Sequence, residues 1–137
     1  MINPKGVPAP KKARRKPRQT ERTVLAFAKQ LLETLGWFWI RHQQNIGSHA
    51  GMSDLSAVKR GITIYIETKS SEWKQTKKDG TWTKTAIAQE KFRADVTRAG
   101  ALYLRCLTVE EVERDLGAVE EHYWPGQNSK SLFSREG

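Results

Sequence analysis

Apolar and polar positions recur along this chain with two different periods, and the switches between them mark out its elements. From Thr20 to Leu35 the period is helical: Leu25, Ala28, Leu32 and Leu35 share one stripe, with Val24 and Leu31 beside it. Gly36 supplies the stop. Trp37-Phe38-Trp39-Ile40 reads as a short aromatic strand, and His42 to Gly51 as a loop with two glycines and several polar residues. Met52 to Val58 predicts a second strand, and Lys59-Arg60-Gly61 a tight hairpin turn. From Ile62 to Lys69 the period is two. Ile62, Ile64, Ile66 and Thr68 face one way; Thr63, Tyr65, Glu67 and Lys69 face the other.

The second half is less regular. Ser70 to Thr83 is a polar insertion carrying Trp73, Trp82 and an Asp79-Gly80 turn. Thr85 to Ala99 predicts a helix whose core stripe is Ala88, Phe92, Val96 and Ala99, ended by Gly100. Ala101 to Leu107 predicts a fourth strand. Thr108 and Glu111 have capping-box spacing, which opens a final short helix. No internal repeat is visible. The order α-β-β-β-α-β-α predicts the α/β class, a mixed four-stranded sheet flanked by helices.

Length and charge change this picture at the ends. With 137 residues there is room for one domain and one modest core. The chain is 37% hydrophobic and has five tryptophans, enough to fold. Its net charge of +9 is unevenly placed, because Lys5, Lys11, Lys12, Arg14, Arg15, Lys16 and Arg18 all precede the first acid. Residues 1–19 also hold four of the five prolines, which predicts an extended, mobile basic arm. The domain proper is expected over 20–118, with an irregular tail over 119–137. A basic arm suits an anionic polymer, and neutralising about six phosphates of duplex DNA would give a log–log salt slope of roughly −5. The bland alternative is a solvated tail that aids solubility. A nuclear-localisation role for Lys11 to Arg18 is a weak pattern match.

Several classes drop out. The single cysteine, Cys106, lies in an apolar segment, so neither a disulfide framework nor a cysteine-rich zinc site is expected. No run approaches about 18 apolar residues, so no membrane helix is expected. No signal-peptide core is visible either. A reducing intracellular setting is the expectation: cytoplasmic in a bacterial host, or nuclear in a eukaryote. There is no phosphate-binding Gly-rich loop and no nucleophile elbow. His42, His49 and His122 lack zinc-ligand spacing.

The candidate chemistry is Asp54 with the run Ile66-Glu67-Thr68-Lys69. Glu67 and Lys69 project from one face of an apolar strand, at the end where α/β folds tend to place sites. The hairpin turn at 59–61 would bring Asp54 beside them. Two carboxylates can hold a divalent metal, and a lysine can orient or deprotonate a water. In so basic a chain the natural substrate is a phosphodiester. Glu21 falls on the inward stripe of the first helix, where a carboxylate needs a partner. It is equally a first-turn acid favoured by the helix dipole. Gln89 flanks the Ala88/Phe92 stripe and could hold a water or a phosphate oxygen, or be an ordinary surface residue. Lys74, Lys77, Lys78, Lys84, Lys91 and Arg93, interleaved with Trp73 and Trp82, could grip a backbone and stack on bases. They could also be a solvated loop with its tryptophans folded inward.

Taken in order, these pieces resemble a PD-(D/E)xK nuclease core, and within it the virus-type replication-repair nuclease (VRR-NUC) family. The matching segments are Thr20-Glu21-Arg22, Gly51-Met52-Ser53-Asp54-Leu55, Ile64-Tyr65-Ile66-Glu67-Thr68-Lys69, Gln89 and Ala99-Gly100-Ala101, over roughly Thr20 to Leu116. The family usually has proline before the aspartate; here it is Ser53, which removes no ligand. The resemblance implies a restriction-endonuclease-like core and a metal-dependent DNA endonuclease. Asp54, Glu67 and the Thr68 backbone carbonyl would hold magnesium or manganese, with Glu21 joining directly or through water. Lys69 would position the attacking water, and Gln89 would order the site. The resemblance extends to enzymes acting on branched DNA such as Holliday junctions, in phage or bacterial replication, recombination or repair. A two-fold junction calls for a homodimer. The alternative is a non-catalytic basic nucleic-acid-binding protein, with Lys11, Lys12, Arg14, Arg15, Lys16 and Arg18 carrying the function.

Overall fold

The computed structural model describes residues 18–43 and 49–127. The arm lysines and arginines from Lys5 to Lys16, and residues 128–137, lie outside that range.

Helix α1 runs Glu21–Leu35. Its start is fixed by Thr20, whose hydroxyl accepts the Thr23 N–H. Its end is a Schellman closure: Gly36 adopts φ 86°, while Gly36 N–H and Trp37 N–H bond the carbonyls of Glu33 and Leu32. Val24, Leu25, Ala28, Leu31, Leu32 and Leu35 are buried, as the stripe requires. Truncating a fully buried member such as Leu32 to alanine should cost about 2–5 kcal/mol.

Strands β1 (Phe38–Arg41), β2 (Leu55–Lys59), β3 (Ile62–Thr68) and β4 (Leu102–Cys106) form one sheet in the order β1-β2-β3-β4. The first two pairings are antiparallel and β3–β4 is parallel, so the sheet is mixed. The β2–β3 turn is two residues, Arg60 and Gly61, with φ 49° and 83°. Two positive φ values match the twist of a tight hairpin. Helix α2 (Lys84–Arg98) supplies the crossover to β4, and α3 (Val109–Tyr123) follows it.

The main core lies between the sheet face bearing Leu55, Ala57, Ile64 and Ile66 and the inward sides of α1 and α3. The opposite face of β3 and β4 is covered by α2, where Phe92 packs edge-on against Tyr65 with ring centroids 5.2 Å apart. The result is a three-layer α/β/α arrangement.

Four expectations need correction. Strand β1 begins at Phe38, because Trp37 is buried in the turn with its indole bonded to Glu120. Strand β2 begins at Leu55, not Met52, because Asp54 turns its carboxylate across to Thr68. The buried residues of α2 are Ala86, Gln89 and Phe92; Ala88 and Val96 are half-buried and Ala99 is exposed. That helix packs on a polar cleft rather than on the main core, so its apolar stripe misreports its inner face. Finally, α3 is not short. It runs past residue 118 to Tyr123, so the region expected as an irregular tail begins as helix. Glu120 continues the inward stripe of Val112 and Leu116, and it is buried because it has a cation: Lys59 Nζ lies 2.7 Å from its Oε1. Thr108 caps this helix as its spacing predicts, accepting the Glu111 N–H, while Glu111 takes the Leu107 N–H.

Candidate active site

Hairpin register builds the site. Leu55 pairs with Ile66, so one further step along the chain brings Asp54 to the end of β3 that carries Glu67 and Thr68. Lys69 follows two residues after Glu67, on the same face, and its Nζ lies 2.9 Å from Glu67 Oε2. Gln89, from the first half of α2, donates to the same Oε2 at 2.8 Å. The loop carrying Asp54 is held against α2 by Gly51. Its φ is 74°, and a Cβ added there would stand 2.1 Å from the Ala88 carbonyl oxygen. Only glycine permits this approach, which sets Asp54 beside Gln89.

Each carboxylate has one oxygen engaged by the protein. Asp54 Oδ2 accepts both the backbone N–H and the hydroxyl of Thr68, at 2.8 Å and 2.9 Å. The Asp54 carbonyl accepts the His42 N–H. Glu67 Oε2 is taken by Lys69 and Gln89, whereas Glu67 Oε1 is buried without a hydrogen-bond partner, as is Gln89 Oε1. Glu67 is pushed up to about 7, first by burial and then by the charge of Asp54, with Lys69 opposing.

Glu21, Asp54, Glu67, Lys69 and Gln89 line one open cleft of about 480 Å³. The five residues singled out in the sequence are therefore brought together. Glu21 sits differently from its helical-phase expectation. It is exposed at the mouth of α1, and its carboxyl is raised by partial burial and then by Asp54, with Lys69 and Arg41 opposing. Among the described residues, no three His, Cys, Asp or Glu side chains stand close enough to hold a metal by themselves.

The basic residues divide. Lys84 lines the cleft, whereas Lys74, Lys77 and Lys78 are exposed on the insertion. Arg93 pairs with Glu90. Arg18 approaches Glu72 at 3.7 Å. Trp82 is exposed, while Trp73 is half-buried over the site, its ring 5.3 Å from Lys69 Nζ. Cys106 is fully buried and its thiol is pushed up to about 12 by burial, as a structural thiol requires.

Sequence reasoning missed two clusters. Lys59, Glu120, Trp37 and Trp124 form a buried polar knot at the far end of the sheet. Lys59 Nζ bonds the Leu35 carbonyl at 2.6 Å and Glu120 Oε1 at 2.7 Å, while Trp37 Nε1 donates to Glu120 at 2.8 Å. The spacing Val112, Leu116, Glu120 was the available signal. The second cluster, Tyr103 and Arg105, lies on the β4 positions paired with Tyr65 and Glu67. The period of β4 places both on the face bearing Glu67.

The mixed four-stranded sheet, flanked by three helices, carries two acids and a lysine around one cleft. The chain has the fold of a VRR_NUC domain: a solved structure described as "VRR_NUC domain" matches it with a TM-score of 0.55. That structure is 23% identical, and the match covers 77% of this chain and 99% of that one. No protein-family model matches the sequence, and no curated protein does so either.

Proposed function

We propose that this protein is a VRR-NUC nuclease that hydrolyses phosphodiester bonds in DNA, with magnesium or manganese as its cofactor. The observation that carries the reading is the acid pair Asp54 and Glu67, each with one oxygen tied to the protein, beside Lys69 at the wall of an open cleft. The shared fold supports it.

The donor set fits a hard divalent cation. Glu67 Oε1 is a buried carboxylate oxygen without a partner, a costly arrangement that a cation would relieve. Asp54 Oδ1 is the oxygen that Thr68 leaves unengaged. With only two acids deep in the cleft, the Thr68 carbonyl and water would complete the shell, and Glu21 would act from the mouth. The bound ion would lower the pKa of a water and offset charge on the phosphate.

The chain's own residues have separable duties. Thr68 fixes Asp54. Gln89 and Lys69 fix Glu67 and keep its carboxylate from rotating. Lys69 also presents a cation to the cleft, suited to orienting a water or meeting charge on the phosphate. Lys84 on the cleft wall, and Lys74, Lys77 and Lys78 on the insertion, would hold the backbone together with the arm, and a branched substrate would call for a homodimer.

The test is cleavage of junction, flap, single-stranded and linear duplex DNA with magnesium or manganese, against an EDTA control. Asp54→Ala, Glu67→Ala and Lys69→Ala should each abolish cutting while leaving DNA binding largely intact. Undiminished cleavage by the triple variant, or by wild type in EDTA, removes the assignment.

A further inference from the structure

Arg105 is a cation for which the fold supplies aromatic rings instead of an acid. Its guanidinium carbon lies 5.2 Å from the Trp73 ring centroid and 5.9 Å from that of Tyr103. Its Nε is buried without a hydrogen-bond partner among the described residues, and the Tyr103 hydroxyl lies beside the guanidinium. No carboxylate of the described residues forms a salt bridge with it; the nearby Glu90 is engaged by Arg93. Stacking on rings leaves the planar fork of the guanidinium unspent. A partly buried cation with an orphaned donor, and no salt bridge among the described residues, is suited to taking an anion.

Position says which anion. Arg105 is the β4 partner of Glu67 and lies on the same face of the sheet. The Trp73 ring centroid lies 5.3 Å from Lys69 Nζ and 5.2 Å from the Arg105 guanidinium carbon, so both cations lie near one indole. An anion at Arg105 would therefore sit one side chain away from the reacting centre, at about the reach of a neighbouring backbone phosphate. Tyr103 stays protonated near neutral pH, because burial and then the charge of Glu67 push its phenol up to about 12, while the charge of Arg105 and its hydrogen bond oppose.

We propose that Arg105 and the Tyr103 hydroxyl, under the Trp73 ring, form a phosphate subsite that holds the nucleic-acid backbone beside the phosphodiester under attack. This rests on the reading of the cleft as a nuclease site. Trp73 then lies against the guanidinium and also near Lys69. The insertion at 70–83 has a reason to be ordered at its base, where the Trp73 N–H bonds the Ser70 carbonyl at 3.0 Å.

The experiment measures binding of short duplex DNA over a series of salt concentrations, in EDTA so that no cutting occurs. Arg105→Gln should weaken binding about tenfold and reduce the log–log salt slope by about 0.9, one phosphate's worth. Arg105→Lys should keep the slope and lose a smaller part of the affinity, because the charge remains and the fork does not. Tyr103→Phe, which removes only the hydroxyl, should weaken binding about threefold at unchanged slope. A folded Arg105→Gln protein with the wild-type slope overturns the subsite. If Arg105→Gln does not fold, wild-type affinity in both Arg105→Lys and Tyr103→Phe overturns it. Binding is read without metal or turnover, so a protein that shows these shifts and cuts nothing refutes the nuclease reading alone.

Discussion

Thr68 donates twice to one oxygen of Asp54, from its backbone N–H at 2.8 Å and its hydroxyl at 2.9 Å. A carboxylate held this way presents its other oxygen in a fixed direction, which is what a metal ligand needs. Thr68→Val keeps the shape and the backbone bond but removes the hydroxyl. The variant should fold normally and require roughly 10–100-fold more magnesium for half-maximal cleavage. A metal titration of cleavage rate checks it, and an unchanged requirement would show that the backbone bond suffices.

Gly51 predicts a different kind of failure. An alanine there must hold φ 74° and place its Cβ 2.1 Å from the Ala88 carbonyl oxygen. Backbone strain alone costs about 1–3 kcal/mol, and the loop must lift from α2 to avoid the clash. Gly51→Ala should lower the midpoint of chemical denaturation and cut activity more than tenfold. Gly80→Ala, equally left-handed but with open space around it, should leave activity intact.

The Lys59–Glu120 knot tests stability away from the cleft. Removing one member of a buried ion pair costs about 3–5 kcal/mol. Lys59→Met should therefore lower Tm by more than roughly 10 °C. Adding Glu120→Gln removes the carboxylate charge, keeps an acceptor for the Trp37 indole and should recover part of that loss. Cleavage at low temperature should be near wild type in both. A Lys59→Met variant as stable as wild type would mean the pair contributes nothing.

The pH dependence of the metal-free protein follows from Glu67. Its folded-state value, about 7, is above the ordinary 4.5, so folding favours the protonated form. That contribution to stability is complete below pH 4.5 and is lost as pH rises through 7. In EDTA, Tm should fall between pH 5 and pH 8, and Glu67→Gln should flatten the fall. A wild-type profile that rises over this window would reverse the sign and refute the burial argument.

The sequence made the hairpin legible because two local signals agreed: apolar alternation in β3 and turn residues at 59–61, of which Lys59 proves to belong to β2. Gly36 marked the end of α1 for the same reason, since that cap is chosen by local backbone geometry. Helix α2 was harder. Its buried Gln89 is inward because Glu67 awaits it across the cleft, a long-range fact invisible to helical periodicity. Glu120 and Arg105, unlike Gln89, were missed outright. Each is a charge whose partners, Lys59 and the Trp73 ring, come from distant segments, and hydrophobic patterning scores such charges as surface.

The two-residue turn at Arg60 and Gly61 has a consequence for how this protein can vary. Asp54 and Glu67 stand equal numbers of residues from it, six along β2's side and six along β3's. The hairpin is a ruler folded in half, with an acid at each tip. Letters on the ruler can change wherever they keep the alternation. Its length cannot: one residue gained or lost in either arm slides the tips apart and turns one acid to the opposite face of the sheet. Variation in this segment should therefore come as substitutions, with insertions confined to the loops on either side.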